Sequence, residues 1–100
     1  NRLNLNQLVN LTSRNASKIF GLKSKGSLDI DFDADVAIID LKKEAKVSSD
    51  LFGGFSDYLV YDGWNLKGWP VKTIVRGTMM VEDFEVIGKP GFGKFISRTS

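Results

Sequence analysis

Four aspartates at every second position are the first candidates for chemistry in this sequence: Asp29, Asp31, Asp33 and Asp35. Carboxylates in steps of two open a calcium-binding loop, which also requires glycine at its sixth position and glutamate at its twelfth. Counted from Asp29, this chain has Ala34 and Asp40 at those positions. Because Leu28, Ile30 and Phe32 fill the gaps, the alternation favours the solvated face of a β-strand.

A glycine-rich stretch near the end of the chain approaches the spacing of a phosphate-binding loop. Gly88 and the pair Gly93-Lys94 nearly complete that pattern. Phe95 stands where a serine or threonine would bind magnesium, and too few residues follow to form a helix whose N-terminus could contact phosphate. We interpret this stretch as a bent tail with Phe92 and Phe95 as its anchors.

Four aromatic side chains with polar tips could stack on nucleic-acid bases: Tyr58, Tyr61, Trp64 and Trp69. Single-strand binding proteins interleave such rings with lysine and arginine, whereas Asp57, Asp62 and Lys67 surround these. The formal net charge is only +2, and no single basic face is evident in the sequence. We therefore expect packing or a protein interface, and no nucleic-acid binding.

Two residue types are missing, and their absence removes most catalytic chemistry from these residues. Without cysteine there is no disulfide, no thiolate nucleophile and no cysteine zinc site. Without histidine the commonest general base and the commonest metal ligand are both lost. The Ser48-Ser49-Asp50 segment and the Lys42-Lys43 pair offer no base or oxyanion arrangement for a nucleophile. We expect no catalytic, cofactor-binding or metal-binding residue in this chain.

The elements follow from hydrophobic spacing in a composition typical of one globular domain, 42% hydrophobic and 26% charged. No apolar run approaches the ~20 residues that span a bilayer, so no membrane contact is expected. Leu5, Leu8 and Val9 predict a helix, and a second begins with Asn15 as N-cap and ends with Gly21 in the left-handed C′ position.

A mainly β unit follows this short α-helical lead. Alternating or continuous apolar runs predict strands at 28–33, 36–39, 44–48, 71–76, 79–81 and 86–87. The 36–39 strand is expected to be buried on both faces. Turns are predicted at Ala34-Asp35, Gly77-Thr78 and Asp83-Phe84, and residues 49–68 are predicted to form a long aromatic loop.

Several pieces of the sequence occur in the order found in one enzyme family. They are Leu11–Leu22, Lys25–Leu28, Asp33–Asp40, Ser56–Trp64, Gly68–Val71, Val75–Gly77 and Gly88–Phe95. Together they resemble the C-terminal region of cyclic amidohydrolases of the dihydropyrimidinase, hydantoinase and dihydroorotase type. The resemblance covers nearly the whole chain, and it is more specific for the superfamily than for a substrate.

The resemblance implies a (β/α)8 barrel that carries a binuclear zinc centre, held by histidines, a carboxylated lysine and an aspartate that all lie outside this chain. Residues 1–23 would be the closing helices of that barrel, and residues 24–88 would form the C-terminal half of the small β-sandwich that flanks it. Residues 89–100 would be a tail reaching a neighbouring subunit. The implied partners are the missing N-terminal barrel and further copies of the protein in a homo-oligomer, and the implied location is cytoplasmic.

Three positions depart from the family pattern. Ala16 replaces a proline, and Leu59–Gly63 replaces a segment that often contains histidine or Thr-Pro. Phe84 replaces a glycine; because a positive φ would strain it, we expect a different turn there. Two alternatives remain open: a free-standing interaction module, expected if a start codon directly precedes Asn1, and a homologue that kept the fold but lost the metal ligands.

Overall fold

The computed structural model describes residues 2–51 and 59–98, which form a short helical lead and one antiparallel sheet. The elements are α1 (Leu5–Val9), a π-helical turn (Asn10–Arg14), α2 (Asn15–Ile19), β1 (Val36–Lys46), a 3₁₀ turn (Ser49–Leu51), β2 (Asn65–Val75), β3 (Thr78–Glu82) and β4 (Glu85–Val86). Within the described ranges, no helix is long and apolar enough to cross a membrane. The mainly β fold with a helical lead is confirmed.

The helical lead is one continuous helix rather than two. Asn4 caps it, since its side chain accepts a hydrogen bond from the Gln7 amide while the Gln7 side chain accepts one from the Asn4 amide. In the middle, the Thr12 hydroxyl donates to the Leu8 carbonyl at 2.8 Å, and the Asn15 amide donates to the Asn10 carbonyl, five residues back. The predicted N-cap at Asn15 was wrong, because its backbone is already helical.

The end of the helix agrees with the sequence. Gly21 has a φ of +70° and its amide donates to the Lys18 carbonyl, while the Leu22 amide donates to the Ser17 carbonyl. These two bonds form a Schellman motif, which satisfies carbonyls that the last helical turn leaves open.

The predicted strand at 28–33 is absent, and the segment is a loop. Asp31 has a φ of +68°, which reverses the chain and interrupts any extended run. The amide of Phe32 donates to Asp29 and that of Asp33 to Ser24, so local bonds replace a strand ladder. Ile30 is consequently 91% exposed instead of facing a sheet.

The sheet has the order β1-β2-β3-β4, with every neighbouring pair antiparallel. The predicted strands at 36–39 and 44–48 are one strand, β1, with a bulge at residues 41–43 opposite Gly68. The Lys42 amide donates to the Asp40 carboxylate within that bulge. β2 begins at Asn65, inside the predicted loop 49–68; the remainder of that loop includes residues outside the described ranges.

Two tight hairpins connect β2, β3 and β4. The first turns at Arg76-Gly77, one residue before the predicted position, and the second at Asp83-Phe84. All four turn residues have positive φ, as type I′ turns require. The expectation that Phe84 avoids positive φ was therefore wrong, since its φ is +68°. Its ring contacts compensate: it packs edge-on to Trp69, and the Lys43 ammonium lies 4.6 Å from its centroid.

Very little of this chain is buried. Val47 and Trp69 are the only buried apolar side chains among the residues that the structure describes. The strand at 36–39 was predicted to be buried on both faces, yet Ile38 and Ile39 are 43% and 50% exposed. That prediction was wrong for this chain, because only β2 packs beside β1 and nothing within the described ranges covers it.

Candidate functional site

The most connected polar cluster lies where the loop after the helix meets the first hairpin. Lys25 forms ion pairs with Asp33, at 2.9 Å, and with Asp35. The other carboxylate oxygen of Asp35 accepts a hydrogen bond from the Arg76 amide at 2.9 Å, and the Gly77 amide donates to the Ala34 carbonyl. The cluster therefore ties the loop to the turn between β2 and β3.

These contacts favour the charged forms of both Asp35 and Lys25. The hydrogen bond from Lys25 lowers the pKa of the Asp35 carboxyl, aided by the Arg76 amide and opposed by partial desolvation. The hydrogen bonds to Asp35 and Asp33 raise the pKa of the Lys25 ammonium. An aspartate held ionised against a lysine is suited to a structural joint rather than to proton transfer at neutral pH.

The loop that carries Lys25 is also fixed to the helix, because its backbone passes close to Ser17. The Ser17 hydroxyl donates to the Lys25 carbonyl at 2.7 Å, and Ser17 is the buried polar residue of the helical lead. Gly26, at a φ of +96°, lies so near that an added Cβ would stand 2.5 Å from the Ser17 Oγ. Glycine is required here by both conformation and space.

Arg76 also holds the start of the tail. Its guanidinium lies 4.4 Å from the centroid of the Phe92 ring and donates to the Phe92 carbonyl. Gly88 lies against the Met80 side chain, and Gly91, with a φ of +87°, turns the chain. The glycines thus serve close packing and turning, as expected of a bent tail. Phe95, predicted as a second anchor, is 89% exposed and anchors nothing within the described residues.

The aromatic set divides into a packed member and exposed members. Trp69 is 6% exposed, and its indole Nε1 donates to the Leu66 carbonyl at 2.7 Å. Tyr61 and Trp64 form an edge-to-face pair at 5.2 Å and are each 56% exposed. Tyr58 lies outside the described residues. The packing role is confirmed for Trp69.

The four aspartates of the alternating series are not brought together. Asp29 accepts a hydrogen bond from the Ser27 hydroxyl, Asp31 is exposed, and the other two bind Lys25. No group of three or more acidic, histidine or cysteine side chains within residues 2–51 and 59–98 could hold a metal ion. With no histidine in the sequence either, the residues present do not fit a binuclear zinc centre.

The sequence predicted a turn at Asp83-Phe84, but it predicted none of the side-chain contacts that Lys25, Arg76 and Phe84 make. Lys25 and Arg76 appeared only within the segments Lys25–Leu28 and Val75–Gly77, which resemble the family. Their partners are distant in sequence, with Asp35 and Arg76 separated by 41 positions, so spacing alone could not pair them.

Comparison with known proteins identifies the family. The profile of the amidohydrolase family matches residues 1–80. The chain belongs to the amidohydrolase family. Among curated relatives it is similar to an L-hydantoinase of Paenarthrobacter aurescens, with 40% identity over 97% of this chain and 21% of the relative. It is also similar to a dihydroorotase of Methanothermobacter thermautotrophicus, with 37% identity over 95% of this chain and 22% of the relative.

The fold agrees with solved structures of the same family. The L-hydantoinase (dihydropyrimidinase) structure from Arthrobacter aurescens superposes with a TM-score of 0.91 at 40% identity, over 97% of this chain and 22% of that one. The chain thus spans about a fifth of the length of the amidohydrolases that it matches.

Proposed function

We propose that this chain is the C-terminal part of a cyclic amidohydrolase, an enzyme that hydrolyses the C–N bond of a cyclic amide. The observation that carries the proposal is the match itself: nearly all of this chain aligns with a fifth of an L-hydantoinase at 40% identity. Hydantoinases and dihydroorotases are both among the relatives, so the substrate class is a cyclic amide of the hydantoin, dihydropyrimidine or dihydroorotate type.

Within such an enzyme, the chain acts as scaffold. Residues 1–23 close the barrel, residues 24–88 form the C-terminal half of the flanking β-sandwich, and residues 89–100 extend as a tail. The accessible surface supports this assignment: it is 8377 Å², against about 5,700 Å² for a compact folded monomer of this size. The Cα radius of gyration is 15.2 Å, against about 13 Å for a compact 100-residue domain.

The uncovered edge of the sheet along β1 supports the proposal that another strand pairs there. β1 is one of the two outer strands of the sheet and is eleven residues long, and among the residues that the structure describes only β2 pairs with it. Long uncovered edges carrying apolar residues pair readily with other chains. The other half of the sandwich would cover this edge, and the exposed apolar residues would contribute to contacts between copies in a cytoplasmic homo-oligomer.

The metal centre and the catalytic residues lie elsewhere in the enzyme. The family implies binuclear zinc, and this chain lacks the imidazoles that such a centre uses. The acidic pair best placed for a ligand role, Asp33 and Asp35, is already bound to Lys25. Removing a carboxylate from this segment should therefore leave the chemical step intact.

The test is to purify the full-length protein that contains this chain and to measure ring opening of hydantoin, a dihydropyrimidine and dihydroorotate by liquid chromatography. We expect turnover of at least one substrate, a bound metal by elemental analysis, and an oligomer by size-exclusion chromatography with light scattering. The control variant Asp31→Asn, in an exposed side chain, should keep kcat within about twofold, since it leaves the barrier unchanged to within ~0.4 kcal/mol.

Failure to open any of the three rings would reject the hydrolase assignment. A hundredfold loss of kcat in Asp31→Asn, with an unchanged melting temperature, would reject the scaffold role. A monomer in solution would reject the homo-oligomer alone.

A further inference from the structure

A pocket of about 150 Å³ lies between the end of the helical lead and the loop that follows it. Among the described residues that line it, four carry a positive charge at neutral pH: Arg14, Lys18, Lys23 and Lys25. The same lining contains one carboxylate, that of Asp29. Even when Asp33 and Asp35 are counted too, because they bind Lys25, the group stays net positive. The pocket is therefore suited to an anion.

Three of these four cations are not neutralised by the part of the chain that the structure describes. Lys25 is bound by two carboxylates, whereas Arg14, Lys18 and Lys23 form no ion pair within that part. All three are exposed, so an anion from solvent can reach them. Several unpaired cations around one pocket, an arginine among them, are the donors that phosphate-binding sites use.

The loop adds two backbone donors to the wall of the pocket. Gly26 and Ser27 both line it and are half-buried. Their amides donate to no acceptor within residues 2–51 and 59–98, although half-buried N–H groups normally have a partner. Gly26 has a φ of +96°, and successive amides at a left-handed turn form a concave site for anions.

The helix ends at this pocket, and the carbonyls of a helix C-terminus carry a partial negative charge that repels anions. Here the carbonyls of Ser17 and Lys18 accept the two hydrogen bonds of the Schellman motif. The Ser17 hydroxyl also donates to the Lys25 carbonyl at 2.7 Å. These bonds satisfy the acceptors at the pocket and hold its two walls together, so little conformational freedom is lost on binding.

We propose that this pocket binds phosphate, either as the free ion or as the terminal group of a small phosphate ester. A cavity of roughly 150 Å³ holds one benzene molecule, so the pocket takes one tetrahedral oxyanion and leaves any larger group outside. The Arg14 guanidinium is suited to two phosphate oxygens at once, while the two lysines act as point charges. The inference goes beyond the proposed function and does not depend on which ring the protein opens.

The test is isothermal titration calorimetry of the full-length protein with sodium phosphate, with chloride keeping the ionic strength constant. Lys23→Gln and Lys18→Gln each remove one charge from the pocket. The matched control is Lys89→Gln, because Lys89 is also exposed and forms no ion pair within the described ranges, yet does not line the pocket. Circular dichroism checks that all three variants fold.

We expect each pocket variant to weaken phosphate binding by about tenfold, as the loss of one hydrogen bond from a charged donor does. Lys89→Gln should change the Kd by less than about twofold. Absence of phosphate binding, or equal weakening in the control, would overturn the inference. So would an unchanged Kd in both pocket variants, which is the result that phosphate bound at a metal centre elsewhere in the protein would give.

Amide hydrogen exchange measured by mass spectrometry locates the bound ion. Phosphate should slow exchange in a peptide covering residues 23–29 and leave a peptide from β1 unchanged; no protection at 23–29 would contradict the site. Glycerol 3-phosphate, titrated in parallel, distinguishes the two sources. Tighter binding than that of free phosphate assigns the site to an ester, and weaker binding assigns it to the free ion.

Discussion

At the residue scale, the chain is organised by a few side chains that each contact two elements. Asp35 accepts from the Arg76 backbone and binds Lys25, while Arg76 reaches on to Phe92. Exposed ion pairs contribute little, typically below about 1 kcal/mol, because solvent screens them. The value of this cluster lies in geometry, since it fixes the loop, the hairpin turn and the tail with respect to one another.

Asp35→Asn should weaken the full-length protein only above acidic pH. Because the folded-state pKa of Asp35 is lowered, its contribution is present above the ordinary aspartate pKa and disappears as pH falls through the lowered value. We expect Asp35→Asn to reduce the melting temperature by about one or two degrees at pH 7, and this difference to shrink as pH falls below the ordinary aspartate pKa of about 3.9. Thermal melts between those limits measure this.

The matched control for that experiment is Asp31→Asn, because asparagine tolerates the left-handed φ of Asp31. Lys25 has the opposite pH dependence, because the pKa of its ammonium is raised. Its contribution to stability is fully present below the ordinary lysine pKa and is lost as pH rises through the raised pKa. A loss in Asp35→Asn that stays constant as pH falls from 7 to the acid limit of folding would show that the carboxylate charge does not matter.

At the element scale, the helix is joined to the loop by the contact between Ser17 and Gly26. Gly26→Ala would add both an unfavourable φ and a steric clash, whereas Gly77→Ala has a φ of +81° with no atom within 4 Å of the new Cβ. Gly77→Ala should therefore cost about 1–2 kcal/mol from backbone conformation alone. Gly26→Ala should cost about 1–3 kcal/mol more from overpacking.

Melting temperatures of the two full-length variants measure the difference, and the second variant serves as the control for the first. Equal losses would mean that Ser17 moves aside without penalty, so that the helix and the loop are not rigidly joined. A smaller loss for Gly26→Ala than for Gly77→Ala would contradict the packing at Ser17 directly.

The sequence predicted the elements whose signals are local. Gly21 at the helix end and the strands before and after Arg76-Gly77 follow from periodicity and from the conformational freedom of glycine. The prediction of a strand at 28–33 was wrong because alternation of apolar residues cannot detect the chain reversal at Asp31. That reversal depends on the ion pair that Lys25 and Asp33 form across the loop. The prediction that Phe84 avoids positive φ was wrong because contacts with Trp69 and Lys43, both distant in sequence, offset the strain.

At the scale of the whole molecule, the chain exposes more surface than a compact monomer of its mass. Its accessible surface is 8377 Å², about 1.5 times the value that mass scaling gives for a compact monomer. Produced alone, the hundred residues should therefore lack a cooperative thermal transition by circular dichroism. The control is the full-length protein, which should melt sharply, and a sharp transition in the isolated chain would contradict its role as a dependent segment.

The π-helical turn at Asn10–Arg14 rotates the side chains of α2 about the helix axis relative to those of α1. Each extra residue in a helical turn rotates everything after it by about 100°, so the stripe that begins with Leu5 and Leu8 does not continue along α2. The first half of the helix keeps its leucines exposed, while the second half turns Ser17 onto Gly26. Deleting a single residue within this turn would restore a regular helix and swing one half away from its contacts, although the composition of the helix would hardly change.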